Sequence, residues 1–490
     1  MTAGSSTLGG ATSRKDGKAR ALFWTLLDVG GSQGLSFLLY VVLTRILTPE
    51  DYGIFALSLS VVAVTNIILF QGFADALIQR EHPDEDDCST VFWINFAIGL
   101  GLGLLLLAAA GPLAELYGAP LLRPVLQVMS VLCPLRALVS VHSALCRREM
   151  RMSIFAMRAI GAYLIGGAAG VALALQGWGV WALVACQLVQ AATILVVMWS
   201  TIRWVPRLRF SGLAFHRLAG FGRQLMLASV LGSAADKVDN LIIGLVLGPA
   251  AVGYYSLAMK VFQAVGLVTI QPLNLLVMPI LARLAHHKAT FSAEYVRLVT
   301  ACLAVWLPAV AGLGVLAPVV LPLAFGPQWA DAVPVLQAIC VSCASMPFWA
   351  LSGQALSALG RPDLYIRLAA AQLVLAALAF AAAAPFGIVA VGFAWAAVSA
   401  LLVPLNLATM VRATGVRPHG LQRSALRLLL CAAGMAAVML LLFRLVPHQP
   451  WLAAITAPFT YLALLALLLP GYPRSLLRSA RHALPLPGKA

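Results

Sequence analysis

Charged residues are scarce in this chain. Only 10% of its 490 residues are Asp, Glu, Lys or Arg, whereas 61% are apolar. Because soluble globular domains carry about 25% charged residues, this composition excludes an ordinary soluble domain. Apolar runs of about 20 residues recur along the chain, and each can cross a hydrocarbon core as a helix. The composition therefore predicts an all-α, multi-pass integral membrane protein.

Motifs that carry chemistry are also missing. The sequence has no GxxxxGK[ST] segment to hold ATP phosphates, which argues against ATP hydrolysis by the chain itself. Cys340 and Cys343 form a CxxC pair inside an apolar run, without a neighbouring His, so packing explains the pair better than metal or redox chemistry. The acidic run 84–87 contains a DxD spacing, but no nucleotide-binding domain surrounds it, and we interpret it as a solvated loop. These patterns predict neither an enzyme nor a bound metal or cofactor.

The chain contains two related halves. LTPEDYGIFAL at 47–57 returns as LGPAAVGYYSL at 247–257, and SALxR at 143–147 returns at 357–361. The offset between the copies grows from 200 to 214 and never reverses, as a duplication with small loop insertions would produce. Each copy is predicted to hold six spans. Because six is even, both halves enter the membrane from the same side, related by an axis along the membrane normal.

The 47–57 stretch and its echo are predicted to be turns on the far side of the membrane. Pro49 and Pro249 are expected to start the next helix, since proline suits the first helical position. Gly53 and Gly253 are expected to allow close helix packing beside a cleft.

We predict about fourteen membrane-spanning helices, arranged as two six-helix lobes and a C-terminal pair. The regions are a basic tail at 1–20, an N-lobe at 21–199, a linker at 200–222, a C-lobe at 223–411, accessory helices at 412–469 and a basic tail at 470–490. The predicted spans, numbered 1 to 14, are 21–43, 52–78, 91–110, 122–145, 154–175, 178–199, 223–247, 250–283, 297–324, 331–358, 363–384, 386–411, 425–446 and 451–469.

The net charge of +16 reflects topology. If the N-terminus is cytoplasmic, most of the 33 Lys and Arg residues fall on cytoplasmic segments, and only Arg45, Arg123 and Arg444 lie on the far side. This is the positive-inside pattern. It predicts that both termini are cytoplasmic, and it removes the need for a nucleic-acid partner.

Polar residues inside the spans are the candidate functional residues, because hydrocarbon penalises them. Span 7 carries Asp236, Asp239 and Asn240 on one helical face, and span 1 carries a polar stripe that includes Asp28. Such faces are expected to line a water-filled cavity. The alternative is that Asp236, Lys237 and Asp239 pair locally, or with Lys260, and only fix spans 7 and 8 together.

Four basic residues lie within spans or at a span end. Arg136, Lys237 and Lys260 are deep in predicted spans, and Arg45 is near the end of span 1. Deep cations are candidates for a cavity that binds anions. A snorkelling role is an alternative for Arg45.

Prolines in spans 8 and 9 predict bends. They are Pro272, Pro279, Pro308, Pro318 and Pro322. A helix tolerates them only where neighbouring groups or cavity water satisfy the freed carbonyl oxygens.

The N-terminal hundred residues resemble a known transporter family. They carry LLYVVLTRILTPEDYGIFAL, FQGFADALIQRE and STVFWINFAIGL. In these stretches the chain resembles polysaccharide transporters of the multidrug/oligosaccharidyl-lipid/polysaccharide exporter superfamily. It is most similar to the Wzx-type flippases of the colanic-acid-exporter-like branch.

The resemblance implies a bacterial inner-membrane transporter. Its expected substrate is undecaprenyl-diphosphate-linked oligosaccharide, moved from the cytoplasmic to the periplasmic leaflet by alternating access for surface polysaccharide synthesis. Polysaccharide polymerase machinery is a candidate partner. Arg45 matches the arginine of the family's TRxL element, while Arg136, Lys237 and Lys260 are candidates for binding the anionic head by residue type. The carboxylates beside Lys237 depart from a purely basic cavity.

Carboxylates supply a second hypothesis. Asp28, Asp236 or Asp239, with Asn240 beside them, would couple transport to a H⁺ or Na⁺ gradient. A drug/cation antiporter of the same superfamily is the alternative function. A membrane polysaccharide polymerase or ligase ranks third, because no large loop with basic residues is present on the far side.

Overall fold

The computed structural model describes residues 30–70, 77, 84–149, 151–209, 211–212, 237–341, 345–415, 420–446 and 449–468. All regular structure in these residues is helical. Helices are expected in hydrocarbon because they satisfy every backbone polar group within one segment. The all-α prediction is confirmed. The chain divides into two compact units, 1–253 and 254–490.

The first unit holds eight helices among its described residues. They are α1 Ser32–Ile46, α2 Pro49–Phe70, α3 Glu85–Leu116, α4 Leu122–Met129, α5 Leu132–Arg148, α6 Met152–Leu175, α7 Val180–Thr201 and α8 Val238–Leu247. A ninth helix, α9 Pro249–Thr269, continues from this unit into the second.

The described part of the second unit continues with eight more α-helices and two short 3₁₀ helices, Pro327–Trp329 and Ala384–Phe386. The α-helices are α10 Gln271–Arg283, α11 Lys288–Phe325, α12 Ala332–Val341, α13 Met346–Ala358, α14 Pro362–Ala383, α15 Ile388–Thr414, α16 Leu421–Leu445 and α17 Pro450–Leu468.

Ten described helices or helix pairs are long and apolar enough to span a membrane. The number is eleven if α12 and α13, which meet at 54°, form one bent span. Helices α1 and α8 are apolar but shorter, and the remainder of predicted spans 1 and 7 lies outside the described residues. The count of fourteen therefore stays a prediction.

Predicted span 8 is interrupted. Helix α9 ends at Thr269, and α10 begins at Gln271 with Pro272 in its first turn. Proline suits that position because its missing N–H would have no helical partner there. The bend expected at Pro272 is a break between two helices.

Helix α11 runs unbroken for 38 residues through Pro308, and a neighbouring helix repairs the hydrogen bonding. Proline at position 308 leaves the Ala304 carbonyl oxygen without its helical donor. The Tyr461 hydroxyl of α17 donates to that oxygen at 2.8 Å. A side chain thus supplies the hydrogen bond that the proline removes.

The same repair occurs ten residues later in α11. Pro318 leaves the Gly314 carbonyl oxygen without its helical donor. The Gln337 side-chain amide of α12 donates to that oxygen at 3.1 Å. At Pro308 and Pro318, these two contacts agree with the expectation that neighbouring groups satisfy the freed carbonyl oxygens.

The acidic run 84–87 is not a loop, so our interpretation of it was wrong. Asp84 is the N-cap of α3, and its backbone N–H donates to Asp87 Oδ2 at 3.1 Å in a capping box. Negative side chains in a first helical turn also interact favourably with the helix dipole. The signal was an acid at the cap and another three residues later, directly before an apolar run.

Candidate functional site

Three of the six described candidate residues lie at the start of α8, which packs against α2. A Cβ built on Gly53 would overlap the Pro249 carbonyl oxygen, and one built on Gly244 would overlap the Leu57 side chain. Leu57 of α2 contacts Gly244 of α8, and Ser60, further along α2, contacts Asn240, which comes earlier in α8. The two helices therefore run antiparallel. The missing Cβ at Gly53 lets α2 reach the backbone of Pro249, the first residue of α9, and the missing Cβ at Gly244 lets α8 pack closely against the Leu57 side chain.

The two repeat turns meet reciprocally at one end of this contact. A Cβ on Gly253 would overlap the Pro49 carbonyl oxygen, just as Gly53 faces Pro249. Helix α2 begins at Pro49 and α9 begins at Pro249. The predictions that the prolines start helices and that the glycines allow close packing are both confirmed.

The two turns are built differently. In the first, the Thr48 hydroxyl donates to Asp51 Oδ2 at 2.7 Å, and the Asp51 N–H donates back to the Thr48 hydroxyl at 3.2 Å. In the second, Gly248 and Ala251 take these places. Gly248 has φ +80°, a conformation that side chains with a Cβ rarely adopt. A side-chain cap holds one turn, and a glycine backbone shapes the other.

A polar pair lies further along the same helix contact. Asn240 Nδ2 donates to Ser60 Oγ at 3.1 Å, and Ser60 Oγ donates to the Ala56 carbonyl oxygen at 2.8 Å. Hydrogen bonds of this kind join helices in hydrocarbon, where unsatisfied polar groups are costly. Sequence reasoning identified Asn240 but missed Ser60. The available signal was the repeat offset, which aligns Ser60 with Lys260.

Charged groups flank this pair at the start of α8. Asp239 is buried, and its Oδ1 accepts from the Asn240 N–H at 2.7 Å. Lys237 is half-buried at the N-cap position of the helix. One helical turn therefore carries an ammonium, a carboxylate and an amide. The ammonium is the kind of group that the anion-binding hypothesis requires, and the carboxylate is the kind that cation coupling requires.

The other predicted site residues lie elsewhere. Arg45 is exposed in the last turn of α1, and Arg136 is half-buried in α5. Lys260 is half-buried in the part of α9 that belongs to the second unit. Asp28 and Asp236 lie outside the described residues. The structure brings Lys237, Asp239 and Asn240 together, and the grouping of the remaining candidates with them stays a prediction.

A match to a protein-family model identifies the family of this chain. The family described as "Polysaccharide biosynthesis protein" matches residues 42–334, which is more than half of the chain. The chain belongs to this family. The match confirms the family resemblance, which we expected over roughly residues 20–470 with most of its specificity in the first hundred.

Curated relatives agree with the family. The chain is 30% identical over 323 residues to the succinoglycan biosynthesis transport protein ExoT of Rhizobium meliloti strain 1021, an alignment covering 66% of this chain and 65% of that protein. It is 26% identical over 316 residues to the lipopolysaccharide biosynthesis protein WzxC of Escherichia coli K12, covering 63% of each. The chain thus aligns with slightly less than two thirds of these relatives' length.

Solved structures show the same fold. A lipid II flippase MurJ in an inward closed conformation matches with a TM-score of 0.75 at 12% identity, covering 93% of this chain and 100% of that one. An inward-facing MATE-family multidrug transporter matches with a TM-score of 0.65 at 15% identity, covering 79% and 96%. This chain is thus a multi-pass membrane protein with the fold of these transporters. The printed name of ExoT, a transport protein, agrees with the expectation of a transporter.

Proposed function

We propose that this protein is a flippase that moves undecaprenyl-diphosphate-linked oligosaccharide from the cytoplasmic to the periplasmic leaflet of the bacterial inner membrane. The observation that carries the proposal is the family match over 42–334. The name of the relative ExoT, a succinoglycan biosynthesis transport protein, supports a polysaccharide precursor as the substrate. The fold shared with MurJ supports translocation of a lipid-linked head group.

The substrate explains why cations and polar groups are needed inside the spans. Its diphosphate is doubly negative, its glycan is polar and its polyprenyl tail is apolar. Moving an unpaired charge through hydrocarbon costs several kcal/mol or more. A site with basic side chains lowers that cost for the diphosphate, and polar side chains solvate the sugars. The tail stays in lipid throughout.

We propose that Arg45, Arg136, Lys237 and Lys260 bind the anionic diphosphate head of the substrate. Lys237 is the residue with most support, since it is half-buried beside the polar pair of Asn240 and Ser60. In the proposed cycle, the site opens to one side of the membrane at a time, as in other secondary transporters.

A carboxylate is proposed to couple transport to a H⁺ or Na⁺ gradient. Asp239 is the described candidate, because it is buried within two residues of Lys237. Protonation or cation binding at this carboxylate would change the charge beside the lysine. That change would weaken or strengthen binding of the diphosphate. Asp28 and Asp236 are the further candidates.

Orientation and partners belong to the same proposal. The positive-inside pattern supports cytoplasmic termini. The polysaccharide polymerase that uses the flipped product is proposed as a partner at the periplasmic side. The lipid-linked oligosaccharide and the bilayer itself are the other partners.

The experiment is a deletion with two readouts. Deleting the gene should abolish the surface polysaccharide and leave lipid-linked oligosaccharide in the cytoplasmic leaflet, where added glycosidase cannot reach it in intact spheroplasts. Re-expression should restore both. A drug/cation antiporter, which the MATE-like fold favours as the second candidate, would instead give drug sensitivity with normal polysaccharide.

A further inference from the structure

The chain segment that leaves α7 is fixed against α3. The Arg207 N–H donates to Ser89 Oγ at 3.1 Å, and Trp93 Nε1 donates to the Arg207 carbonyl oxygen at 2.8 Å. Arg207 also forms an ion pair with Glu85, the first residue of α3. We call residues 202–209 the strap. It lies at the end of the spans where α3 begins and α7 ends.

One side of the strap packs inward. Ile202 is buried in a cluster with Phe155 and Met198, and Trp204 packs against the same cluster. The Trp204 ring also lies 6.0 Å from Phe92 and 5.4 Å from His142, both edge to face. These contacts fix which side chains face outward.

The outward side of the strap is both apolar and basic. Val205 is 71% exposed and Leu208 is 88% exposed. Arg203, Arg207 and Arg209 are exposed between and beside them. Because α7 ends at Thr201, contact with the hydrocarbon core does not account for these two aliphatic side chains. Aliphatic groups between arginines are typical of segments that lie in the interface of a membrane.

More cations surround the same cluster. The Arg158 guanidinium lies 4.0 Å from the centre of the Phe155 ring, and the Arg147 guanidinium lies 5.8 Å from it. Arg158 also donates to Ser143 Oγ at 3.3 Å. Phe155 itself packs with Ile202 of the strap. The turn between α5 and α6 and the strap therefore form one basic surface.

Most of the nearby carboxylates cap a helix or form an ion pair. Asp84 and Asp87 form the capping box of α3, and Glu85 pairs with Arg207. Glu149 pairs with Arg151 at 3.0 Å. Capping and pairing do not remove the negative charges, but the seven arginines at 147, 148, 151, 158, 203, 207 and 209 outnumber the five carboxylates at 84–87 and 149, so the surface keeps a net positive charge.

We propose that this surface binds the headgroups of anionic phospholipids, with Val205 and Leu208 entering the interfacial region and the arginines contacting phosphates. Anionic headgroups attract basic segments beside spans, and the attraction adds to the burial of apolar side chains. This binding is independent of the translocated substrate, because it uses residues outside the candidate site.

The test uses the full-length protein in nanodiscs that contain phosphatidylcholine with or without phosphatidylglycerol. Native mass spectrometry after ejection counts the lipids retained. We expect the wild type to retain phosphatidylglycerol preferentially, and R203Q/R209Q to lose about tenfold in that preference. R412Q/R423Q removes two exposed arginines from the second unit and is the matched control, expected to behave like the wild type. R203K/R209K should keep most of the preference, because the charge is retained.

A second variant separates membrane contact from charge alone. V205S/L208S leaves every arginine in place but removes the exposed aliphatic groups, so lipid retention should fall while protein yield and melting temperature stay unchanged. Equal loss of the preference in R203Q/R209Q and R412Q/R423Q would overturn the proposal, as would wild-type lipid retention in V205S/L208S. Pull-down of a protein partner by a wild type that shows no lipid preference would also overturn it.

Discussion

Gly53 and Gly253 hold equivalent places in the two repeats, and each faces the backbone of the proline that starts the other repeat's helix. The relationship is reciprocal, so a side chain at either position would push the same two turns apart. This explains why glycine stands at the matching place in both copies of the repeat. Backbone-to-backbone packing requires the smallest residue on both sides.

Alanine at either glycine should therefore be costly. Gly53→Ala and Gly253→Ala would each place a methyl group on a carbonyl oxygen, and overpacking of this kind costs about 1–3 kcal/mol. We expect lower melting temperatures for the purified protein in detergent and reduced polysaccharide export. Gly101→Ala and Gly161→Ala are the controls, because no atom lies within 4 Å of a Cβ built at either position. If all four variants lost stability equally, the close approach would not be the cause.

The Asn240–Ser60 hydrogen bond should contribute modestly to stability. Hydrogen bonds between membrane helices contribute about 0.6 kcal/mol on average and at most about 1.7 kcal/mol. A double-mutant cycle with Asn240→Ala and Ser60→Ala should give a coupling energy in that range. Ser58 is the matched control: it is buried on the same helix, and its hydroxyl donates to the Ile54 carbonyl oxygen at 2.8 Å. A cycle of Asn240→Ala with Ser58→Ala should give no coupling; equal coupling in both cycles would contradict a specific pair.

The hydroxyl of Tyr461 should stabilise α11 only because Pro308 is present. Tyr461→Phe leaves the Ala304 carbonyl oxygen without a donor, at a cost of about 1–3 kcal/mol. In a Pro308→Ala background the backbone N–H of residue 308 can donate to that oxygen, so the same substitution should cost less. Thermal unfolding of the four proteins measures the difference.

Tyr295→Phe is the matched control for that series. Tyr295 is buried in α11, the helix that contains Ala304 and Pro308. Among the described residues no group hydrogen-bonds to its hydroxyl. Removing this hydroxyl should leave stability unchanged or raise it. An equal loss from Tyr295→Phe and Tyr461→Phe would show that the Ala304 contact is not the cause.

The sequence predicts the fold well because each membrane-spanning helix requires a long apolar run, and such runs are visible in the sequence. Helix starts at Pro49 and Pro249, and close packing at Gly53 and Gly253, follow from local rules and from the repeat. Partners are harder to predict. Asn240 is visible as a polar residue in a span, but its partner Ser60 is 180 positions away and is chemically unremarkable in sequence. Likewise, nothing near Pro308 indicates that Tyr461 supplies its hydrogen bond.

The candidate site is less predictable still, for a physical reason. A lone cation in a span signals that something must compensate its charge, but not whether that partner is a carboxylate, water or a substrate. Lys237 and Asp239 are separated by one residue, so a local pair and a binding site have the same sequence signature. Substitution with separate readouts is needed to distinguish the two.

Substitutions at Lys237 and Asp239 should therefore affect transport in different ways. If Lys237 binds the diphosphate, Lys237→Gln should reduce export of polysaccharide by about tenfold or more at any membrane gradient, because loss of a charged hydrogen bond costs about 1.5–3 kcal/mol. If Asp239 couples the gradient, Asp239→Asn should leave residual transport that no longer changes when an ionophore collapses the H⁺ or Na⁺ gradient. Flipping assays in spheroplasts with and without ionophore separate the two roles. A pair that is only structural predicts a third pattern: both variants would lose protein yield and melting temperature, and Lys237→Gln/Asp239→Asn together would recover them.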